Sequence, residues 1–190
     1  MKRFVFVALL ALVAPIAAIA AGPATLGLFF DQYVPSQMSY EPQVETTFKA
    51  YLYLINNPAN VTAIEYQLSV QGAGSVFIID KFTMRDNSIW LGDPLAGQAV
   101  AFWPPLDSCP PGFKLVGTFD CVITEPCASQ GGSLVDYQIV VGPHPESGEL
   151  RGTVYPDNDF FPIVGMTSLL CPGLIGTKES SWGAIKSLYQ

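Results

Sequence analysis

Residues 60–70 read NVTAIEYQLSV, and this stretch decides the fold. Ile64, Tyr66, Leu68 and Val70 alternate with Glu65, Gln67 and Ser69. Successive side chains of a strand point to opposite faces, so a period of two gathers the large apolar groups on one side. One face is apolar and the other is wet, as in a strand belonging to one sheet of a two-sheet sandwich. The neighbouring stretches must then supply the cover for the apolar face.

Working outward, residues 25–31 (TLGLFFD) and 44–55 read as strands before it. In the second of these, Phe48, Ala50, Leu52 and Leu54 share one face and Lys49, Tyr51 and Tyr53 the other. That assignment points Tyr51 and Tyr53 outward, about 6–7 Å apart along the strand, where cross-strand pairing that stabilises the sheet is the favoured reading and a two-ring platform the other. Residues 76–82 (VFIIDKF) are too apolar to alternate, which predicts a central or doubly covered strand. Short strands follow at 89–91 and 99–103, the second expected to bury Trp103. Residues 113–124 form a longer one, with Phe113, Leu115, Phe119, Cys121 and Ile123 on one face. Strands at 134–141, 150–155 and 161–170 complete the set. About nine or ten strands, separated by Gly-, Pro- and Asn-rich turns, predict an all-β, two-sheet antiparallel β-sandwich.

The chain opens MKRFVFVALLALVAPIAAIA. Lys2 and Arg3, the apolar run from Phe4 and the small-x-small site Ala18-Ile19-Ala20 read as a signal peptide over residues 1–20. The expected organisation is a leader (1–20), a β-sandwich domain (21–172) and a linker with a short amphipathic tail (173–190). The chain carries a net charge of −7, and losing Lys2 and Arg3 makes it more negative by two. The remaining cations are scattered singly, which argues against nucleic acid and anionic membrane surfaces. The expected location is extracellular or the cell envelope, with no membrane span after cleavage.

All four cysteines, Cys109, Cys121, Cys127 and Cys171, follow the leader. An even number in an exported chain reads as two disulfides. A zinc site lacks CxxC spacing and has only His144 to add. Three connectivities are open. An extended strand over 113–123, at ~3.3 Å per residue, keeps Cys109 away from Cys127 and weighs against Cys109–Cys121. Cys121–Cys127 with Cys109–Cys171 is the favoured pairing.

Several of these stretches resemble known families. Leu28-Phe29-Phe30-Asp31, the strand from Val61 to Leu68 and the late Val164-Gly165-Met166 are similar to cohesin-like and Ig-like sandwiches of extracellular bacterial proteins. The ending from Trp182 to Tyr189 resembles the Trp-Gly-x-Ile/Val-Lys-x-Leu-Tyr tail of a set of secreted bacterial proteins. The resemblance implies a scaffold or adhesion module. A cohesin's partner would be a dockerin, and this chain carries no dockerin signature of its own. In the tail, Trp182, Ile185, Lys186, Leu188 and Tyr189 are candidates for docking or targeting.

Catalytic patterns are absent from the sequence. His144 sits in a Pro-His-Pro turn without a GxSxG elbow to serve. Asp157-Asn158-Asp159 offers oxygen ligands at close spacing but lacks the Gly and closing Glu of an EF-hand loop, so it reads as a turn, with a surface Ca²⁺ the only cofactor to consider. The expectation is a secreted, non-enzymatic interaction module whose partner is an extracellular protein. Carbohydrate binding through Tyr51, Tyr53 and Trp90 is the alternative, and an extracellular hydrolase the third reading.

Overall fold

The computed structural model describes residues 22–71, 77–107, 112–124, 129–130, 133–134 and 137–171. The proposed leader, the tail residues Trp182, Ile185, Lys186, Leu188 and Tyr189, and the cysteines Cys109 and Cys127 lie outside them. The strands are β1 (Thr25–Phe29), β2 (Ser39–Tyr40), β3 (Phe48–Ile55), β4 (Val61–Gln71), β5 (Phe77–Met84), β6 (Ser88–Asp93), β7 (Gly97–Leu106) and β8 (Phe113–Ile123). They continue with β9 (Ser129–Gln130), β10 (Ser133–Leu134), β11 (Tyr137–Gly142), β12 (Arg151–Val154), β13 (Asp159–Pro162), β14 (Val164–Gly165) and β15 (Thr167–Leu170). No helix occurs among the described residues.

Two sheets enclose the core. One has the order β14-β1-β3-β8-β5. The other runs β13-β12-β4-β11-β15-β2, with β7 also paired to β4 and β6 to β7. Strand β4 is the hub of the second sheet. Its first half lies between β12 and β7, and its second half pairs with β11. As the alternation predicts, Ile64, Tyr66 and Leu68 are buried. They meet Leu26, Leu28, Ala50, Leu52 and Leu54 of the first sheet in one core.

The sandwich departs from the sequence reading at four places. It is mixed rather than antiparallel, because β1–β14 and β2–β15 are parallel pairs. Strand β5 lies at a sheet edge, not centrally, and Phe82 stacks on Phe119 of its single neighbour at 4.6 Å between ring centroids. The expected last strand is divided into β13, β14 and β15, and β12–β13 form a hairpin whose turn holds Asn158 at φ 57°. In β8, finally, Phe119, Cys121 and Ile123 are buried while Phe113 and Leu115 are exposed. The register against β3 shifts between Leu52 and Tyr53, so Gly117 opposes Leu52 and Leu115 opposes Tyr53. One extra residue in a strand moves every later side chain to the other face, and buried Val116 takes the inward position.

Cys121 is a free thiol, which corrects the expected Cys121–Cys127 bridge. Its strand position, opposite Phe48 and Ile79, turns it into the core, where a cysteine acts as a small hydrophobe. Burial, with Asp120 adding to it, pushes the thiol far above its ordinary range. Cys171, buried just after β15, is disulfide-bonded, its partner lying outside the described residues.

Candidate interaction surfaces

The first sheet's outer face carries the two candidate platform residues, and they are not free. Tyr51 is 8% exposed and Tyr53 1%. They do lie opposite the core, as the alternation requires, but Phe29 packs with them and Met38 and Met166 cover them as a second apolar cluster. The Tyr53 hydroxyl donates to the carbonyl of Gln32, and its ring meets Phe113 edge-on at 5.4 Å. Period-two reading assigns a face but cannot see that the loop after β1 folds back across it. The Tyr51/Tyr53 pair is therefore a small second core rather than an open platform.

Trp90 is half-exposed on β6. Its register partner is Val100, a core residue, so its ring is directed along the open side of the sandwich. There it meets Phe82 of the opposite sheet at 90° and 6.2 Å. Trp103, expected in the core, is 76% exposed. It follows buried Phe102 on β7, and alternation sends it outward.

The second sheet's outer face is where apolar groups gather. Ile89 on β6 is 70% exposed and Leu91 73%. Directly opposite them on β7 stand Ala101 and Ala99, and opposite those on β4 stand Ala63 and Glu65. Residues paired in register share a face, so these six side chains form two parallel rows across three strands. The three alanines make a flat floor with Ile89 and Leu91 as one wall. The other wall is Phe160 on β13, itself exposed, with the Arg151 guanidinium 4.0 Å above its ring. Arg151 is fixed there by Glu65 at 3.1 Å and Glu149 at 2.9 Å. From β6 to β13 there are four strand spacings, about 19 Å, with β7, β4 and β12 between the walls. A helix about 10 Å across would sit on that floor between the walls.

A cleft of about 520 Å³ adjoins this face beyond Leu91 and Ala99, lined by Glu65, His144, Glu146 and Arg151 among others. His144 belongs to a tight turn: its N–H donates to the Glu149 carbonyl, and its Nδ1 accepts from the Glu146 N–H at 3.3 Å. No serine nucleophile is hydrogen-bonded to it among the described residues. Asp157 and Asn158 lie in the turn of the β12–β13 hairpin and Asp159 opens β13 opposite Val154, and no cluster of metal-binding side chains occurs among the described residues.

The sequence reading named Trp90, weighed Trp103 as an exposed ring but favoured the core for it, and missed Ile89, Leu91 and Phe160. A signal for the first two was present. Ile89-Trp90-Leu91 places three large apolar groups in succession on a short strand, and a strand with one core face cannot bury all three. The alanines carried no signal, because small residues are common on either face.

No protein-family model and no curated protein matches this sequence. Solved structures do match its fold. A cohesin module from a family 33 glycoside hydrolase of Clostridium perfringens superposes with a TM-score of 0.52 at 12% identity, over 78% of this chain and 95% of that one. The non-cellulosomal cohesin from the archaeon Archaeoglobus fulgidus gives 0.52 at 10%, over 85% and 97%. The third ScaB cohesin of R. flavefaciens, solved in complex with a group 1 dockerin, gives 0.51 at 10%, over 78% and 95%. The chain thus has the cohesin fold.

Proposed function

We propose that this protein is a non-enzymatic, exported interaction module. It binds a protein partner on the outer face of β6, β7 and β4, and the partner's contribution is a helix with an apolar stripe. The observation that carries the reading is the trough itself: an alanine floor with Ile89, Leu91 and Phe160 standing exposed around it. Exposed large apolar groups gathered on one sheet face mark a binding surface, and an apolar groove of this width suits helix-in-groove docking. The fold agrees with this use, since cohesins sharing it were solved with dockerins bound. The leader-like residues 1–20 support export, and with it an extracellular or envelope location. The reading assigns no reaction to the chain.

The test is affinity capture from the culture medium and envelope of the producing organism, with the wild-type protein and an Ile89→Asp/Leu91→Asp variant. Both side chains are exposed, so the variant should melt within a degree or two of wild type. The reading expects a partner with a helical module, held by wild type and released by the variant. Equal capture by both proteins would contradict it.

A further inference from the structure

A second cleft, of about 510 Å³, opens on the far side of the sandwich, on the outer face of β5 and β8. Its lining combines aromatic rings, Tyr33 and Phe113, with hydrogen-bonding groups from Gln32, Arg85, Asp86 and Thr118. Tyr33 is 80% exposed, the most open of the large apolar side chains among the described residues. It is not on a loose loop. Asp31 accepts from the Ser36 hydroxyl at 2.6 Å and from the N–H groups of Ser36 and Gln37 at 3.2 Å. The Phe30 N–H donates to the Gln37 carbonyl at 2.9 Å, and Tyr53 ties down Gln32 from below. The loop is thus fastened at both ends, and what it presents to water is an aromatic ring.

The opposite wall is equally specific. Phe113 is exposed because the β8 bulge turns it outward, and its ring leans on Tyr53. Beside it, Arg85 and Asp86 take part in none of the ion pairs formed among the described residues. A guanidinium and a carboxylate lining one cleft supply a planar donor pair and a planar acceptor pair. We infer that this cleft is a glycan-binding site, in which a sugar ring stacks on Tyr33 or Phe113 while Arg85 and Asp86 bridge adjacent hydroxyls. A sugar has an apolar face of C–H groups and an edge of hydroxyls, and the cleft offers a counterpart to each. Its volume lies within the usual range of small-ligand sites, about 300–1,000 Å³. Met84 and Leu115 add apolar surface to the lining, and Lys114 a further donor. The two sites lie on opposite sheets, so the module could hold a protein and a polysaccharide at once.

Affinity electrophoresis tests this, in gels containing a soluble β-glucan, a xylan, a mannan or a polygalacturonate. The full-length protein should be retarded by at least one polymer. Tyr33→Ala, and separately Arg85→Ala/Asp86→Ala, should weaken that retardation roughly tenfold, as loss of an anchoring residue does. Ile89→Asp/Leu91→Asp should leave it unchanged, which separates this site from the protein-docking face. Three results would overturn the inference: no retardation by any polymer, retardation indifferent to Tyr33→Ala, or retardation by polygalacturonate alone that high salt abolishes. Tyr33, Arg85 and Asp86 are exposed, so each variant should keep the wild-type melting curve.

Discussion

At the scale of single residues, one of the buried polar arrangements that the apolar pattern conceals joins β4 to β7. Tyr66 and Gln98 are both fully buried, and the Tyr66 hydroxyl donates to the Gln98 side-chain oxygen. Burial raises the Tyr66 pKa well above its ordinary value, so the phenol stays a donor at any working pH. Among the described residues the Gln98 amide nitrogen has no partner, so the oxygen's bond to Tyr66 is what keeps the group from being wholly unsatisfied. Tyr66→Phe removes that donor and leaves a buried amide with nothing to bind. The expected cost is about 1–3 kcal/mol in denaturant unfolding. An unchanged midpoint would show that the pair is not formed. Cys121 makes the complementary point. Its neighbours on β3 and β5 surround it with hydrocarbon, and a count of cysteines in the sequence could not say which thiols face the core.

At the scale of elements, the loop between β1 and β2 has a pH dependence of definite sign. Partial burial raises the Asp31 pKa, but the Ser36 hydroxyl and the N–H groups of Gln37 and Ser36 together outweigh it, and the net shift is downward. A carboxylate whose folded pKa is lowered adds stability above its unfolded pKa and loses it as the pH falls through the folded value. Hydrogen exchange should therefore show the Ser36 and Gln37 amides losing protection only in acid, below the usual aspartate range, while the β3 amides keep theirs. Protection indifferent to acid would remove Asp31 from the loop's support. Much of the strand set was legible, because β4 and β7 bury alternate residues, β3 alternates its side chains between two apolar clusters, and turn residues punctuate the chain. What was not legible has physical causes. Tyr51 and Tyr53 alternate correctly, yet a loop covers them. The bulge at Val116 adds one residue that no periodicity announces, and it moves Phe113 and Leu115 outward. The β12–β13 hairpin turns through Asn158 in the left-handed region, a role open to any Asn in the chain.

At the scale of the whole molecule, the sandwich has two unlike outer faces. One sheet presents an alanine-floored trough between Ile89, Leu91 and Phe160. The other carries a fastened loop, a second apolar cluster and a mixed aromatic and polar cleft. Of the candidate residues read from the sequence, Trp90 stands beside the trough rather than in it, and the others are buried or lie outside the described residues. The floor of the proposed docking face emerged from register, because Ala63, Ala99 and Ala101 are small side chains brought level by strand pairing, whereas its Ile89–Leu91 wall was readable in the sequence. The central claim is that this face receives the partner. Hydrogen–deuterium exchange on the complex with the captured partner tests it most directly. Protection should rise on β6, β7 and the first half of β4, with β5 and the Arg85–Asp86 turn unchanged. Protection confined to β5, β8 and the loop bearing Tyr33, with β6 and β7 unaltered, would contradict it.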